Sequence, residues 1–135
     1  MDSFTKIDHV GIAVESLRTT LERWRPIVGD GTSVPEEVPS QKVRVAFVEV
    51  AGTHLEFLEP TDPESPVGRF LHQRGEGMHH LAFQTPSVDA RLAELKGLGL
   101  RVIDSVGRPG ARGRRVGFAH PSAFQGVLVE FVELP

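Results

Sequence analysis

Cysteine is absent from the 135 residues, which removes disulfide scaffolds, thiolate nucleophiles, zinc fingers and iron–sulfur clusters together. Any metal has to sit on histidine and carboxylate. Tyrosine is also absent and tryptophan occurs once, a poor supply for ligand binding by aromatic stacking. No apolar run reaches the length that spans a bilayer. The chain passes from MDSFTK directly into strand-like sequence, so no membrane partner and a cytoplasmic location are the expectations. An excess of positive charge is lacking as well. The 15 Lys and Arg stand against 18 Asp and Glu, a formal charge of −3, without the basic footprint that non-specific nucleic-acid binding requires. What is present, 39% hydrophobic and 24% charged residues, suits one compact soluble domain with an ordinary core.

The chain repeats itself, and a repeat pairs equivalent positions across a fold. IDHVGIAV at 7–14 lies over MHHLAFQT at 78–85, which sets His9 on His80, 71 positions apart. Both segments read as strands. At the same offset Leu17, Leu21 and Trp24 fall on Val88, Leu92 and Leu95, an i, i+4, i+7 apolar stripe that marks an amphipathic helix in each half. Ser87 suits the second helix's N-cap, and Gly97 and Gly99 its end. RVAF at 44–47 matches RVGF at 115–118 as buried strand. Three residues are then inserted, after which LEFLEP at 55–60 matches VEFVELP at 129–135 and Glu56 falls on Glu130. With weaker strands near 32–38 and 100–106, each half reads βαβββ. Module one covers 1–62 and module two 77–135, joined through a connector at 63–76 in which Ser65 and Pro66 suit the N-cap and first position of a short helix. The cluster GRPGARGRR at 107–115 reads by default as a solvated loop.

A duplicated module usually packs about a pseudo-twofold axis, so equivalent positions near that axis converge. His9 with His80 and Glu56 with Glu130 are two such pairs, all within apolar strands where such side chains are costly to bury unless paired or metal-bound. Taken singly, a strand histidine is more often a hydrogen-bonded structural residue, and a strand glutamate often faces water. Recurrence of both types at matched places favours one divalent ion on His9, Glu56, His80 and Glu130. His79 points to the opposite face of its strand from His80, His54 has Glu56 as a same-face neighbour but no mate in the second half, and His72 and His120 lie in connector or turn contexts, so all four read as structural or supporting residues. An N2O2 set leaves one or two coordination positions open, as catalytic centres do. A second carboxylate argues against the facial-triad iron oxygenases and toward Lewis-acid chemistry. Zn2+, Co2+, Ni2+ or Mn2+ would satisfy these donors.

The paired modules, the four ligand positions and the runs IDHVGIAV, DPESPVGRFL, GEGMHHLAF and FAHPSAFQGVLVEF resemble the vicinal oxygen chelate superfamily and, within it, the methylmalonyl-CoA epimerases. The ESP before the bridging helix, GEGMHH and HPSAFQGVLVE are the specific parts. The resemblance covers nearly the whole chain. It implies an α+β fold, two paired βαβββ modules forming a curved, partly closed mixed sheet around a metal site. It also implies one divalent ion per chain, cobalt favoured, on the same four residues, an acyl-CoA thioester substrate and a homodimer. The implied reaction interconverts the two epimers of methylmalonyl-CoA, removing the proton between thioester and carboxylate and returning it to the opposite face. Glu56 and Glu130 are then the candidate catalytic acid–base groups.

One position departs from the family. Some relatives carry a glutamate proposed as a base in a GVREA-like context after the first helix, and KVRVAF places Val45 there. Valine transfers no proton, so Glu56 and Glu130 share the work, or another group such as Glu49 enters, or the activity differs. Strand parity puts Glu49 on the side of Val45 and Phe47. Arg115, in the basic cluster at the expected cleft rim, is the candidate substrate-binding residue, pairing with a carboxylate or phosphate; Lys42 and Arg44 carry the same two readings, ligand or surface. Three rival functions stay open. A lactoylglutathione lyase would share the fold and metal ligands. A drug-binding resistance protein would share the fold and need no metal. Relic ligands would make Glu130 matter to stability but not to turnover.

Overall fold

The computed structural model describes residues 6–135; residues 1–5, the start of the module-one range 1–62, lie outside the described residues. The elements run β1 (Ile7–Ala13), α1 (Leu17–Val28), β2 (Glu36–Val38), β3 (Val43–Val50), β4 (Thr53–Pro60), α2 (Pro66–Arg74), β5 (Gly77–Thr85), α3 (Val88–Gly97), β6 (Arg108–Pro109), β7 (Arg115–Ala119) and β8 (Val129–Glu133). The chain is therefore α+β and carries two βαβββ modules joined by α2, as the repeat predicts. Contacts divide it into two units, one of residues 9–79 and the other of residues 6–8 with 80–135.

In the first unit the strand order is β2-β3-β4-β1, with β1 parallel to β4 and the other pairs antiparallel. One face of this sheet is covered by α1. Leu17 packs with Val14, Ala46, Val48 and Phe57 as a buried cluster, against which Leu21, Trp24, Ile12 and Leu55 also lie. The other face presents alternate residues, among them His9, Val45, Phe47 and Glu56. Helix α1 begins where Ser16 Oγ accepts from the Thr19 N–H at 3.3 Å and Glu59 Oε2 accepts from the Leu17 N–H at 2.9 Å, satisfying two otherwise orphaned donors.

The second unit repeats the plan. Its order is β5-β8-β7-β6, with β5 parallel to β8 and the rest antiparallel. Val88, Leu92 and Leu95 of α3 pack on Ala119, Val129 and Phe131. Ser87 Oγ accepts from the Ala90 N–H at 3.1 Å and Glu133 Oε1 from the Val88 N–H at 3.1 Å, so Glu133 does for α3 what Glu59 does for α1. Gly117 lets this helix approach, because a Cβ there would lie 2.8 Å from a Leu92 methyl and 2.9 Å from a Val88 methyl.

Two of the weaker strands are shorter than expected. Of 32–38 only Glu36–Val38 is strand, with a single bridge from Thr32 to Val48. Of 100–106 only Val102 bridges, to Ala119, and the strand forms later, at β6. The reason is local. Ile103 and Asp104 both direct their N–H to the one Phe118 carbonyl, while the Asp104 carboxylate accepts the Phe118 N–H at 2.9 Å. A side chain thus takes the place of a ladder bond.

The connector helix begins as its sequence predicts, with Pro66 first and Ser65 Oγ accepting from the Gly68 N–H at 3.1 Å. Gly68 is required by close approach: a Cβ would sit 2.4 Å from the Pro63 carbonyl oxygen and 2.7 Å from that of Asp62. Backbone oxygens cannot rotate aside as a flexible side chain can. Gly68→Ala is therefore expected to cost about 3 kcal/mol, a fall in melting temperature of about 10 °C. A scan that moved by less than 2 °C, roughly half a kcal/mol on the same scale, would show that the 62–63 segment yields freely. No helix among the described residues is long and apolar enough to cross a membrane.

Candidate functional site

Each unit carries one histidine–glutamate pair, and the two pairs are built alike. In the first, β1 lies parallel to β4 with Gly11 opposite Glu56, and β3 lies antiparallel with Phe47 opposite Glu56. His9 Nε2 stands 3.2 Å from Glu56 Oε1, with side-chain exposures of 4% and 7%. The Phe47 ring meets the His9 ring edge-on, centroids 5.8 Å apart and planes at 82°. In the second, Ala82 and Phe118 are opposite Glu130. His80 Nε2 stands 2.9 Å from Glu130 Oε1 at exposures of 1% and 5%, and the Phe118 ring meets His80 at 5.7 Å and 82°. Register, partner and ring angle all repeat. The three inserted residues are taken up between β7 and β8, by the turn at Pro121–Ala123, where the β3–β4 connection needs only Ala51 and Gly52.

The donor chemistry fits a divalent ion. Two ligands at about 2.1 Å from one ion and roughly at right angles lie about 3.0 Å apart, and the two N···O separations are 3.2 and 2.9 Å. Each phenylalanine fixes the ring plane of its histidine and keeps water from the pair. A buried carboxylate is expensive unless its charge is balanced, and neutral imidazole supplies a hydrogen bond but no positive charge. Two carboxylates and two imidazoles match one doubly charged cation.

The residues around the first pair follow strand parity. Pairing of β3 with β4 runs unbroken from Val43 to Val50, so no bulge intervenes and Val45, Phe47 and Glu49 share a face. Val45 is opposite Leu58 and Glu49 opposite His54. The His54 ring lies 6.1 Å from Phe47 at 88°. His79, on the other side of β5 from His80, packs 4.9 Å from Phe70 of α2. His120 caps the Pro121–Ala123 turn, where its Nδ1 accepts the Ser122 N–H at 3.0 Å. His79 thus lies on the face of β5 opposite His80, and His120 in a turn, where each was expected.

A family model described as the glyoxalase/bleomycin resistance protein/dioxygenase superfamily matches residues 8–118. The chain belongs to this superfamily. Relatives of the superfamily chain include an uncharacterised protein of Bacillus subtilis, 37% identical over 95% of this chain and 91% of that one. Another is an ethylmalonyl-CoA/methylmalonyl-CoA epimerase of Cereibacter sphaeroides, 34% identical over 96% of this chain and 98% of that one. Among solved structures, a variant of Streptomyces coelicolor methylmalonyl-CoA epimerase in complex with 2-nitronate-propionyl-CoA has a TM-score of 0.90 at 39% identity, covering 97% of this chain and 95% of that one.

The basic cluster of this superfamily member is not the solvated loop that its composition suggests. Asp8, 1% exposed, accepts from Arg112 Nη2 at 2.9 Å, Arg114 Nη1 at 3.0 Å and Gln84 Nε2 at 2.9 Å. Arg114 Nε donates to the Glu133 carbonyl at 2.8 Å. The loop is thereby tied to the start of β1. Arg115, the expected substrate-binding residue, donates from Nη2 to both carboxylate oxygens of Asp89 at 3.0 Å. It lies on the α3 side of β7, with Gly117, and not on the side of Phe118 and His80. The Gly107 N–H and the Arg115 guanidinium hold the Asp89 carboxyl below the usual carboxylate range. Asp8 has no mate in the repeat and sits 104 and 106 positions from its arginines, so periodicity has no purchase on it. Its one signal is an acid inside a strand that is otherwise apolar apart from His9.

Proposed function

We propose that this chain is a metal-dependent epimerase that interconverts (R)- and (S)-methylmalonyl-CoA, with His9, Glu56, His80 and Glu130 as the four protein ligands of a single divalent ion. The observation that carries the reading is the duplicated His–Glu pair: four buried residues in two half-sites of the same register and ring geometry, in a chain similar over nearly its whole length to methylmalonyl-CoA epimerases. Co2+ is the proposed ion; Zn2+, Ni2+ and Mn2+ suit the same donors. Such an ion, when bound, supplies a Lewis acid that offsets negative charge developing on a thioester oxygen.

The protein's own task is proton transfer at one carbon from two directions. The proton between a thioester and a carboxylate is acidic enough for a carboxylate base if the developing charge is stabilised. Epimerisation needs one group to take it and another to return one to the opposite face. Glu56 and Glu130, equivalent in the two modules, are the proposed pair, since Val45 has no proton to give or take. Phe47 and Phe118 meet the His9 and His80 rings edge-on and lie opposite Glu56 and Glu130, so each His–Glu pair is flanked by an aromatic ring. A metal-independent ligand-binding role is disfavoured by four buried polar side chains that such a role does not need.

The test is deuterium wash-in at the α-carbon of methylmalonyl-CoA. Chelator-treated protein is expected to exchange at least 100-fold more slowly than protein reloaded with one equivalent of Co2+, roughly the low end of what Lewis-acid stabilisation supplies. Absence of exchange in every metal form would overturn the epimerase reading, and turnover of the glutathione hemithioacetal of methylglyoxal in its place would transfer the site to lactoylglutathione lyase chemistry.

A further inference from the structure

We infer that His120 is a substrate-binding residue whose Nε2–H donates to the first amide carbonyl of the pantetheine arm of an acyl-CoA thioester; that the ligand is such a thioester rests on the epimerase reading above. The run HPSAFQGVLVE gives the metal site only Glu130, and its first residues form the turn that takes up the inserted residues. His120 begins that turn, yet its backbone still belongs to the sheet. Its N–H donates to the Arg101 carbonyl at 3.0 Å beside the Val102–Ala119 bridge, and its φ and ψ are −67° and 142°. Side chains therefore go on alternating through this residue. Ala119 packs under α3 with Val88 and Leu92, so His120 projects with Phe118 to the face that carries His80. Val129 has Leu81 on one side and Ala119 on the other. His80 and His120 accordingly stand on the same side of that row, two strands or about 10 Å apart. Leu128 packs on the Ala82, Val116 and Phe118 cluster and gives this face an apolar floor.

The ring's tautomer follows from its hydrogen bonds. Nδ1 accepts the Ser122 N–H at 3.0 Å, and the Ser122 hydroxyl lies 2.8 Å from the same nitrogen. A ring nitrogen that accepts carries no proton, so in the neutral imidazole the proton is on Nε2 and that edge is a donor. Among the described residues the side chain makes its hydrogen bonds through Nδ1 alone, and it is half-buried. The turn that holds it is tight: the Ala123 N–H donates to the His120 carbonyl at 2.9 Å and the Gly126 N–H to the Pro121 carbonyl at 2.8 Å. Nε2 is thus a donor held in a set direction. A coenzyme A thioester carries its first amide just beyond the sulfur, across an ethylene link. With the thioester at the His80–Glu130 pair, that link lies over the apolar floor, and the carbonyl that follows is the first acceptor to come level with His120. In the first unit the place two residues beyond Phe47 holds Glu49, an acceptor when ionised. A carbonyl therefore finds a donor at this place in the second unit and not in the first.

The test measures α-proton exchange by the Co2+-loaded protein on two thioesters of methylmalonate, one with N-acetylcysteamine, which keeps this amide, and one with butanethiol, which lacks it. His120→Asn keeps an oxygen for the Ser122 N–H, while its amide ends short of Nε2. The parent's preference for the N-acetylcysteamine thioester in kcat/KM is expected to shrink about 3- to 10-fold in His120→Asn, the worth of one neutral hydrogen bond. Because both substrates are compared on one protein, a lower folded fraction cancels. His120→Gln, whose amide nitrogen reaches about as far as Nε2, should restore part of the preference. An unchanged preference in His120→Asn would overturn the assignment, whether neither rate moves or both fall equally, the mark of a turn cap and nothing more. Should the parent exchange neither thioester, the epimerase reading fails, and calorimetric titration with propionyl-CoA decides His120 on its own. A Kd weakened in His120→Asn upholds the contact; an equal Kd, or no binding by the parent, removes it.

Discussion

Replacing Glu130 by glutamine should cut epimerisation of methylmalonyl-CoA by between about 10² and 10⁴-fold, the range that a positioned general base contributes, and Glu56→Gln should do the same. The substitution is chosen because it separates two roles of one side chain. A glutamine carbonyl oxygen remains a ligand of the same size, so the ion is expected to stay bound and the fold to survive, whereas an amide cannot take up a proton from carbon. The expected result is therefore one equivalent of metal, an unchanged melting profile and lost epimerisation. If the two glutamates serve opposite faces, the variants should differ in which epimer they deuterate. Each would still work from one side on the epimer whose proton faces the surviving carboxylate, without completing the inversion. Near-normal epimerisation in both variants would sink the proton-transfer role of Glu56 and Glu130 and turn attention to Glu49, which shares the face of Phe47 and lies opposite His54. A loss of metal together with activity would show instead that the carboxylates matter only as ligands.

Duplication makes the two His–Glu pairs legible in the sequence. His9 and His80, 71 positions apart, or Glu56 and Glu130, 74 apart once the three-residue insertion is counted, are unremarked residues one at a time, but a repeat that also aligns two helices and two strands puts them in equivalent environments. The structure returns that equivalence down to the phenylalanine opposite each glutamate. The same repeat carried a second pair of glutamates whose work was not legible. Glu59 and Glu133 recur as faithfully as Glu56 and Glu130, yet they bond the first N–H of α1 and of α3. Periodicity shows that a side chain matters twice without showing whether it serves chemistry or a helix end. The basic cluster at 107–115 was opaque for a different reason. Whether an arginine is solvated, paired or aimed depends on the path of the loop, and that path is set by Asp104 capturing Phe118 and by Asp8 capturing Arg112 and Arg114. None of these partners is periodic with the residue it holds. The weak strand expected at 100–106 failed for the same cause, a side-chain acceptor standing in for a backbone one.

Asp8→Ala is expected to destabilise the protein by about 3 kcal/mol or more, the cost of breaking a buried ion pair by removing one partner. Arg112 is 30% exposed in its side chain and can turn toward water, so its share is small. Arg114, at 9%, cannot, and without the carboxylate its cation stays buried with the Glu133 carbonyl as its hydrogen-bonded acceptor. Gln84 also loses its acceptor. Asp8→Asn, which keeps an oxygen for Gln84 and for one guanidinium but removes the charge, should fall between parent and alanine variant. Urea unfolding of the three proteins checks the order, and amide exchange should localise the loosening to 112–114 and the start of β1. Equal midpoints for parent and Asp8→Ala would mean that Arg114 finds another anion, and the loop would then be held by its backbone and not by this charge. The position next to His9 gives the result a further use. If Asp8 only anchors the loop, Asp8→Ala protein that remains folded should bind one Co2+ with unchanged affinity, because the aspartate and the histidine project to opposite sides of β1.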